Sequence, residues 1–104
     1  MFHIERMQEH MRGEVLPMVM EFYHSDAVSH PVETSVLERT FADAVSKEAV
    51  LEGQVLMEDD HIVGFGYTTI YYACEVGGRC MMFEELFLKE EARGKGYGSR
   101  YFLE

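Results

Sequence analysis

The sequence predicts an α/β (α+β) fold with elements in the order β-α-α-β-β-β-α, the last three strands forming an antiparallel meander. Two observations support this: the apolar period changes from helical to strand-like after Leu51, and short turns join the later strands. The 104 residues favour one domain over 1–104. No run of about 18 apolar residues is present, so no membrane-spanning helix is expected.

The first half of the chain is predicted to hold a strand and a helix. FHIER (2–6) is typical of a short strand, and apolar residues at helical spacing indicate a helix from about Gly13 to Tyr23. Pro17 is tolerable there if it falls near the helix start, where amides have no partner. Met7, Met11 and Met18 are predicted to lie in the core rather than to bind copper.

A second helix is predicted after the loop SDAVSHP. Ser35-Val36-Leu37-Glu38 fits a capping box, which would start the helix there, although a start near Glu33 is also compatible. One face of this helix is apolar and is formed by Leu37, Phe41, Ala44 and Val45.

The second half of the chain is predicted to be strands. GQVLME and IVGFGYTTIYYACE are joined by the turn EDDH, and Val76-Gly77-Gly78-Arg79 is a hairpin turn before the strand CMMFEELFL. Cys74 and Cys80 flank this turn and are expected to be reduced thiols.

The charge narrows the classes of partner. A net charge of −10 argues against nonspecific binding to nucleic acid or to anionic membranes, and it suits a cationic ligand. The five histidines form no metal-binding pattern, so no metal is expected. The first residues lack the apolar core of a signal peptide, which makes a cytoplasmic location the expectation.

Three glycines follow the last predicted strand at every second position, Gly94, Gly96 and Gly98. Glycine allows a backbone to approach a ligand closely, and the helix predicted next presents unpaired amides and the positive end of its dipole. Arg93 and Lys95 add positive charge. The segment is therefore predicted to bind a diphosphate, although its spacing is neither that of a P-loop nor that of a dinucleotide fold.

In this context Arg93-x-x-Gly96-x-Gly98 after EELFL resembles the acetyl-CoA signature of the GNAT superfamily of N-acetyltransferases. EELFL looks similar to the matching strand of diamine and other small-molecule acetyltransferases. The resemblance implies the N-terminal half of a GNAT fold, with the C-terminal half absent, and transfer of acetyl from acetyl-CoA to a primary amine. A chain without that half is expected to be inactive alone.

The resemblance also implies roles for individual residues. Glu84 would be the general base, and Glu85 would orient substrate or face solvent. Tyr23 and Asp26 are weaker candidates for amine recognition. The expected coenzyme-binding residues are Leu86, Phe87, Leu88, Arg93, Gly94, Lys95, Gly96, Tyr97, Gly98 and Ser99. Arg93 would either neutralise phosphate or only hold the loop.

Two other functions are compatible with the sequence. The chain could be an acyl-CoA-binding module without catalysis, or an assembly unit whose exposed strand edge recruits another chain. Because the last strand would have an unpaired edge, a homodimer or strand exchange is expected.

Overall fold

The computed structural model describes residues 1–24, 32–47 and 50–103, and within these ranges three helices and four strands follow the predicted order. The strands are β1 (Phe2–Arg6), β2 (Leu51–Glu58), β3 (His61–Ala73) and β4 (Gly78–Leu88), and the helices are α1 (Arg12–Tyr23), α2 (Thr34–Val45) and α3 (Tyr97–Leu103). Short 3-10 turns at Glu9–Met11 and Glu90–Ala92 precede α1 and follow β4. None of the helices in these ranges is long and apolar enough to cross a membrane.

The four strands form one antiparallel sheet in the order β1-β2-β3-β4. The predicted turn between β2 and β3 is confirmed, and Asp59 has φ 56° there. The turn between β3 and β4 lies at 74–77, two residues earlier than predicted, because Gly78 and Arg79 already pair with β3. Gly77 has φ 75° in this turn, where glycine carries no steric cost. The predicted loop SDAVSHP (25–31) lies outside the described residues.

The helices α1 and α2 cover one face of the sheet, which is called the two-helix face below. Its buried cluster includes Val15 and Val19 of α1, Phe41 of α2, and Phe65 of β3. The three methionines Met7, Met11 and Met18 are buried in it, as predicted, although Met7 precedes the helix. Helical spacing in α1 and α2 and alternation in β3 thus place one continuous apolar layer inside.

Both helices begin earlier than the sequence patterns favoured. Because α1 begins at Arg12, Pro17 is its sixth residue, and its missing N–H leaves the Gly13 carbonyl without a helical partner. Both residues are exposed, so water can satisfy that carbonyl. The capping box at Ser35 is wrong: α2 begins at Thr34 after Glu33, and no side chain caps it.

The short helix α3 packs on the opposite face, called the one-helix face, over a smaller buried cluster. Tyr101 is 4% exposed there, and its hydroxyl donates to Gln54 Oε1 at 2.6 Å. A Cβ at Gly66 would lie 2.3 Å from the Tyr101 hydroxyl oxygen. The glycine in β3 therefore makes room for the helix.

The β3–β4 hairpin extends beyond the rest of the sheet as a two-stranded arm over 70–81, called the hairpin arm, because the pairing of β2 with β3 ends at Leu51↔Thr69. Its exposed apolar side chains lie on both faces and include Ile70, Tyr71, Tyr72 and Met81, and Met82 and Phe83 continue this exposed apolar surface. Cys74 and Cys80 are free thiols at its end, as predicted.

Candidate active site

The glycine segment forms an exposed loop between the 3-10 turn and α3. Gly94 and Gly96 both have φ 78°, and a Cβ on either would meet nothing within 4 Å. Glycine is thus required here by the backbone conformation, while the space above the loop stays open. The first intrahelical bond of α3 runs from the Arg100 N–H to the Gly96 carbonyl at 3.2 Å, so amides preceding Arg100 have no helical acceptor.

Arg93 contacts the strand that leads into this loop. Its Nε donates to the Leu88 carbonyl at 2.9 Å, and its guanidinium lies 5.6 Å from the Phe87 ring centroid. Of the two roles expected for Arg93, this geometry supports holding the loop against β4.

Glu58, at the end of β2, connects the loop to the β2–β3 turn. Its Oε2 accepts a bond from Lys95 Nζ at 3.2 Å and a second bond from the Tyr97 hydroxyl. These two bonds hold the pKa of the partly exposed Glu58 carboxyl below its usual range, and the bond from Tyr97 has the larger effect. The Tyr97 ring also stacks on Phe2 at 4.3 Å. The charge of Lys95 is therefore partly neutralised by the protein itself.

The segment Leu86, Phe87 and Leu88 lies beside the loop on β4. These residues pair with Gly66, Phe65 and Gly64 of β3 through one edge of the strand. In the described sheet no strand pairs with the other edge of β4, which leaves backbone groups available to an extended ligand.

Glu84 occupies a β-bulge. The β3–β4 register passes from Tyr67↔Glu85 to Thr68↔Phe83, so Glu84 has no partner residue on β3. Its side chain is exposed. The regular alternation assumed from the sequence is interrupted here, and alternation does not decide which face Glu84 uses.

Glu85 is half-buried on the two-helix face, where it accepts a hydrogen bond at Oε2 from the Tyr23 hydroxyl at the end of α1. Its other oxygen, Oε1, is buried and has no partner in the part of the chain that the structure describes. Burial raises the pKa of this carboxyl to about 7. A carboxyl with that pKa suits proton transfer near neutrality better than a solvated one does.

Tyr67 is a residue that the sequence pattern did not single out for the site. It pairs with Glu85 across the β3–β4 ladder, it is 1% exposed, and its hydroxyl has no partner among the described residues. In the sequence Tyr67 belongs to an aromatic run on a long strand, a pattern that does not distinguish a core tyrosine from a site residue.

Two other predictions concern Asp26 as a substrate contact and the presence of a metal site. Asp26 lies outside the described residues. Within 1–24, 32–47 and 50–103, no group of three or more histidine, cysteine, aspartate or glutamate side chains could hold a metal ion.

Comparison with protein families gives one match that covers most of the chain. The model of the acetyltransferase (GNAT) family matches residues 16–102, which include most of α1, all of α2, the strands β2 to β4 and the glycine loop. No curated protein sequence matches the chain.

Solved structures share the fold at low sequence identity. A possible acetyltransferase from Clostridium difficile 630 superposes with a TM-score of 0.83 at 14% identity, covering 98% of this chain and 66% of that one. Ribosomal-protein-alanine N-acetyltransferase from Brucella melitensis biovar Abortus 2308 gives 0.76 at 16%, covering 98% and 67%. AAC(6')-Iy, solved with the bisubstrate analogue CoA-S-monomethyl-acetylneamine, gives 0.71 at 14%, covering 99% and 67%.

These matches cover a larger share of this chain than of the solved structures. Nearly all of this chain is matched, whereas it spans less than two thirds of the length of the Clostridium difficile protein and of two integron cassette proteins. The chain therefore has the fold of the N-terminal portion of such a domain.

Proposed function

Because this chain belongs to the GNAT family of acetyltransferases, we propose that it binds acetyl-CoA and serves to transfer the acetyl group to a primary amine of a small molecule. The observation that carries the proposal is the joining of an unpaired strand edge, at Leu86–Leu88, to the open glycine loop that follows it. An extended pantetheine arm and a diphosphate require such a pair of surfaces.

The loop residues fit the diphosphate. Gly94 and Gly96 leave the backbone uncovered, and the amides of Tyr97, Gly98 and Ser99 at the start of α3 have no helical acceptors. Lys95 would exchange its contact with Glu58 for a phosphate oxygen, while Arg93 keeps the loop on β4. Acetyl-CoA supplies an activated thioester carbonyl when bound.

The protein side chains supply the proton transfer. The attacking amine must be neutral, so a carboxylate has to accept a proton as the new N–C bond forms and the C–S bond breaks. Glu84 remains the predicted base from the family resemblance. Glu85 is the rival candidate, since it is half-buried and its pKa is near 7.

A small-molecule acceptor is proposed over a peptide. The net charge of −10 and the half-buried Glu85 both favour a compact cationic acceptor. A known protein of the same fold was solved with an analogue that joins CoA to an acetylneamine, although another acts on ribosomal-protein alanine. We further propose a cytoplasmic location, with neither nucleic acid nor membrane as a partner.

The first experiment separates binding from transfer. Isothermal titration with acetyl-CoA, followed by thiol release with a panel of primary amines, should give binding and then turnover in the protein carrying the whole domain. Binding without turnover on any amine would favour the non-catalytic acyl-CoA module. Absence of binding would remove the proposal.

A second experiment assigns the base. Glu84→Gln and Glu85→Gln remove one carboxylate each without changing side-chain size. The variant of the true base should lose about a hundredfold in kcat, and the other should stay within about tenfold. Equal turnover in Glu84→Gln and the parent protein would exclude Glu84.

The hairpin arm supports an additional proposal, a homodimer or strand exchange along β4. The arm exposes apolar side chains beside an unpaired edge, which is how strands recruit other chains. Sedimentation at micromolar concentration should give a dimer. A monomer at all concentrations would contradict it.

A further inference from the structure

Within residues 1–24, 32–47 and 50–103, two buried polar atoms on the two-helix face have no hydrogen-bond partner, and they belong to neighbouring residues. They are the Tyr67 hydroxyl and Glu85 Oε1, on residues directly opposite each other on β3 and β4. Such opposed side chains have Cβ atoms about 5 Å apart. Leaving either atom unsatisfied is costly, so their coincidence indicates a group that binds between them.

The residues around Glu85 favour a positive charge on the group that would bind there. Burial is the cause that raises the pKa of Glu85, and among the described residues no neighbouring cation offsets it. The titratable groups placed beside it are Tyr23 from α1 and Tyr67 from β3. An anion would be repelled by the ionised carboxylate, whereas a cation would compensate for its lost hydration.

Aromatic rings surround the two tyrosines of this group. Tyr67 lies 5.2 Å from Phe65, which stacks on Phe87 at 5.9 Å, and Phe22 contacts Tyr23 edge to face at 5.1 Å. A carboxylate among aromatic rings is suited to an organic cation.

The carboxylate geometry selects among organic cations. Because Tyr23 already occupies Oε2, a single carboxylate oxygen remains free. A guanidinium binds carboxylates best through both oxygens, whereas an ammonium needs only separate acceptors around one nitrogen. Glu85 Oε1 and the Tyr67 hydroxyl oxygen are two such acceptors.

We propose that Tyr67 and Glu85, with Tyr23 fixing the carboxylate, form the subsite that binds the ammonium of the acceptor. Tyr67 and Glu85 contact the ammonium, and Tyr23 is a positioning residue. The inference rests on the proposed function, since it names the amine site of that reaction. It adds a preference for primary aliphatic amines over guanidinium compounds and alcohols.

The subsite can be tested without acetyl transfer by NMR titrations near pH 8 that measure the binding of butylamine, butylguanidine and 1-butanol. At this pH Glu85 is ionised and butylamine is still cationic. Butylamine should bind about fivefold to tenfold more tightly than butylguanidine, and 1-butanol should not bind measurably. Equal binding of the alcohol and the amine would overturn the proposal.

Variants assign the residues. Tyr67→Phe keeps the ring and removes one acceptor, and it should weaken butylamine binding about fivefold. Tyr72→Phe, on the exposed hairpin arm of the same strand, is the matched control and should change nothing. Unchanged affinity in Tyr67→Phe would contradict the subsite.

A second variant and a parallel measurement of acetyl-CoA affinity separate the failure of the subsite from the failure of the proposed function. Glu85→Gln should weaken butylamine binding at least tenfold, and its near-ultraviolet circular dichroism verifies that it folds. Acetyl-CoA affinity is measured in parallel. Butylamine binding without acetyl-CoA binding would refute the proposed function and leave the subsite intact, and the reverse result would refute the subsite alone.

Discussion

The two faces of the sheet differ in how they hold their functional groups. The two-helix face has a large buried cluster, and Glu85 and Tyr67 are fixed within it. The one-helix face has a small cluster, and the glycine loop beside it is held by the Arg93, Lys95 and Tyr97 side chains. The proposed amine subsite thus depends on core packing, whereas the proposed coenzyme loop depends on a few polar contacts.

The largest effect is expected where the one-helix face is packed most closely. In Gly66→Val the new side chain would meet the Tyr101 ring and hydroxyl. We expect a loss of about 3 kcal/mol in the free energy of unfolding, since overpacking forces backbone shifts. Chemical denaturation measures it. Gly13→Val meets no atom within 4 Å and is the control for space, so equal losses would contradict the packing argument.

The next effect should fall on coenzyme binding. Gly96→Val forces a branched side chain to adopt φ 78° and covers the loop backbone, which should weaken acetyl-CoA binding about thirtyfold. Gly77→Val, at φ 75° in the hairpin turn, carries similar strain far from the loop. Calorimetric titration should therefore give the parent affinity for Gly77→Val. Equal weakening in both variants would mean that strain alone is responsible.

A smaller effect concerns the stability of the two-helix face. The pKa of Glu85 is raised from 4.5 to about 7 in the folded protein, so the folded state holds this proton more tightly than the unfolded state. Its contribution is fully present below about pH 4.5 and is lost as the pH rises through 7. Glu85→Gln should therefore be more stable than the parent near pH 8, by about 1 kcal/mol after allowance for residual exposure.

Thermal unfolding at several pH values measures this difference. The gain in Tm of Glu85→Gln should be about 5 °C near pH 8 and should shrink on acidification. Glu84→Gln, one residue away and exposed, is the control and should show no such dependence. A gain that does not change with pH would contradict the role of ionisation.

The smallest effect is expected at the polar attachment of the loop. Tyr97→Phe removes the hydroxyl that donates to Glu58 but keeps the ring stacked on Phe2. Acetyl-CoA affinity should fall only about twofold, because exposed hydrogen bonds contribute little. Amide exchange of 93–97 should accelerate. Unchanged exchange would mean that the bond to Glu58 does not hold the loop.

The elements of this fold were predictable where the signal is local. Helical and strand periods fixed the order of elements, and alternating glycines located the loop, because φ near 78° at Gly94 and Gly96 is a local demand on residue type. The starts of α1 and α2 were less predictable, since α1 continues a 3-10 turn and α2 lacks a side-chain cap.

The site was less predictable, because it depends on pairing between strands. The bulge at Glu84 depends on how β3 and β4 align, and the residue types at this position do not predict it. The unpartnered hydroxyl of Tyr67 becomes visible only when Glu85 is opposite and buried. Sequence therefore indicated Glu84 and Glu85 as candidates without indicating that their environments differ.

The bulge at Glu84 also divides β4 into two segments, and the alternation of side chains between the two sheet faces is set separately in each. Removing one residue of β4 on the hairpin-arm side of the bulge would move the side chains of the arm to the opposite faces. The side chains of Glu85–Leu88 would stay on their present faces. Arm length and arm composition are thereby free to diverge between relatives without disturbing the strand that adjoins the loop. Chimaeras that exchange whole arms at this point should keep the glycine loop and the Glu85 carboxyl unchanged.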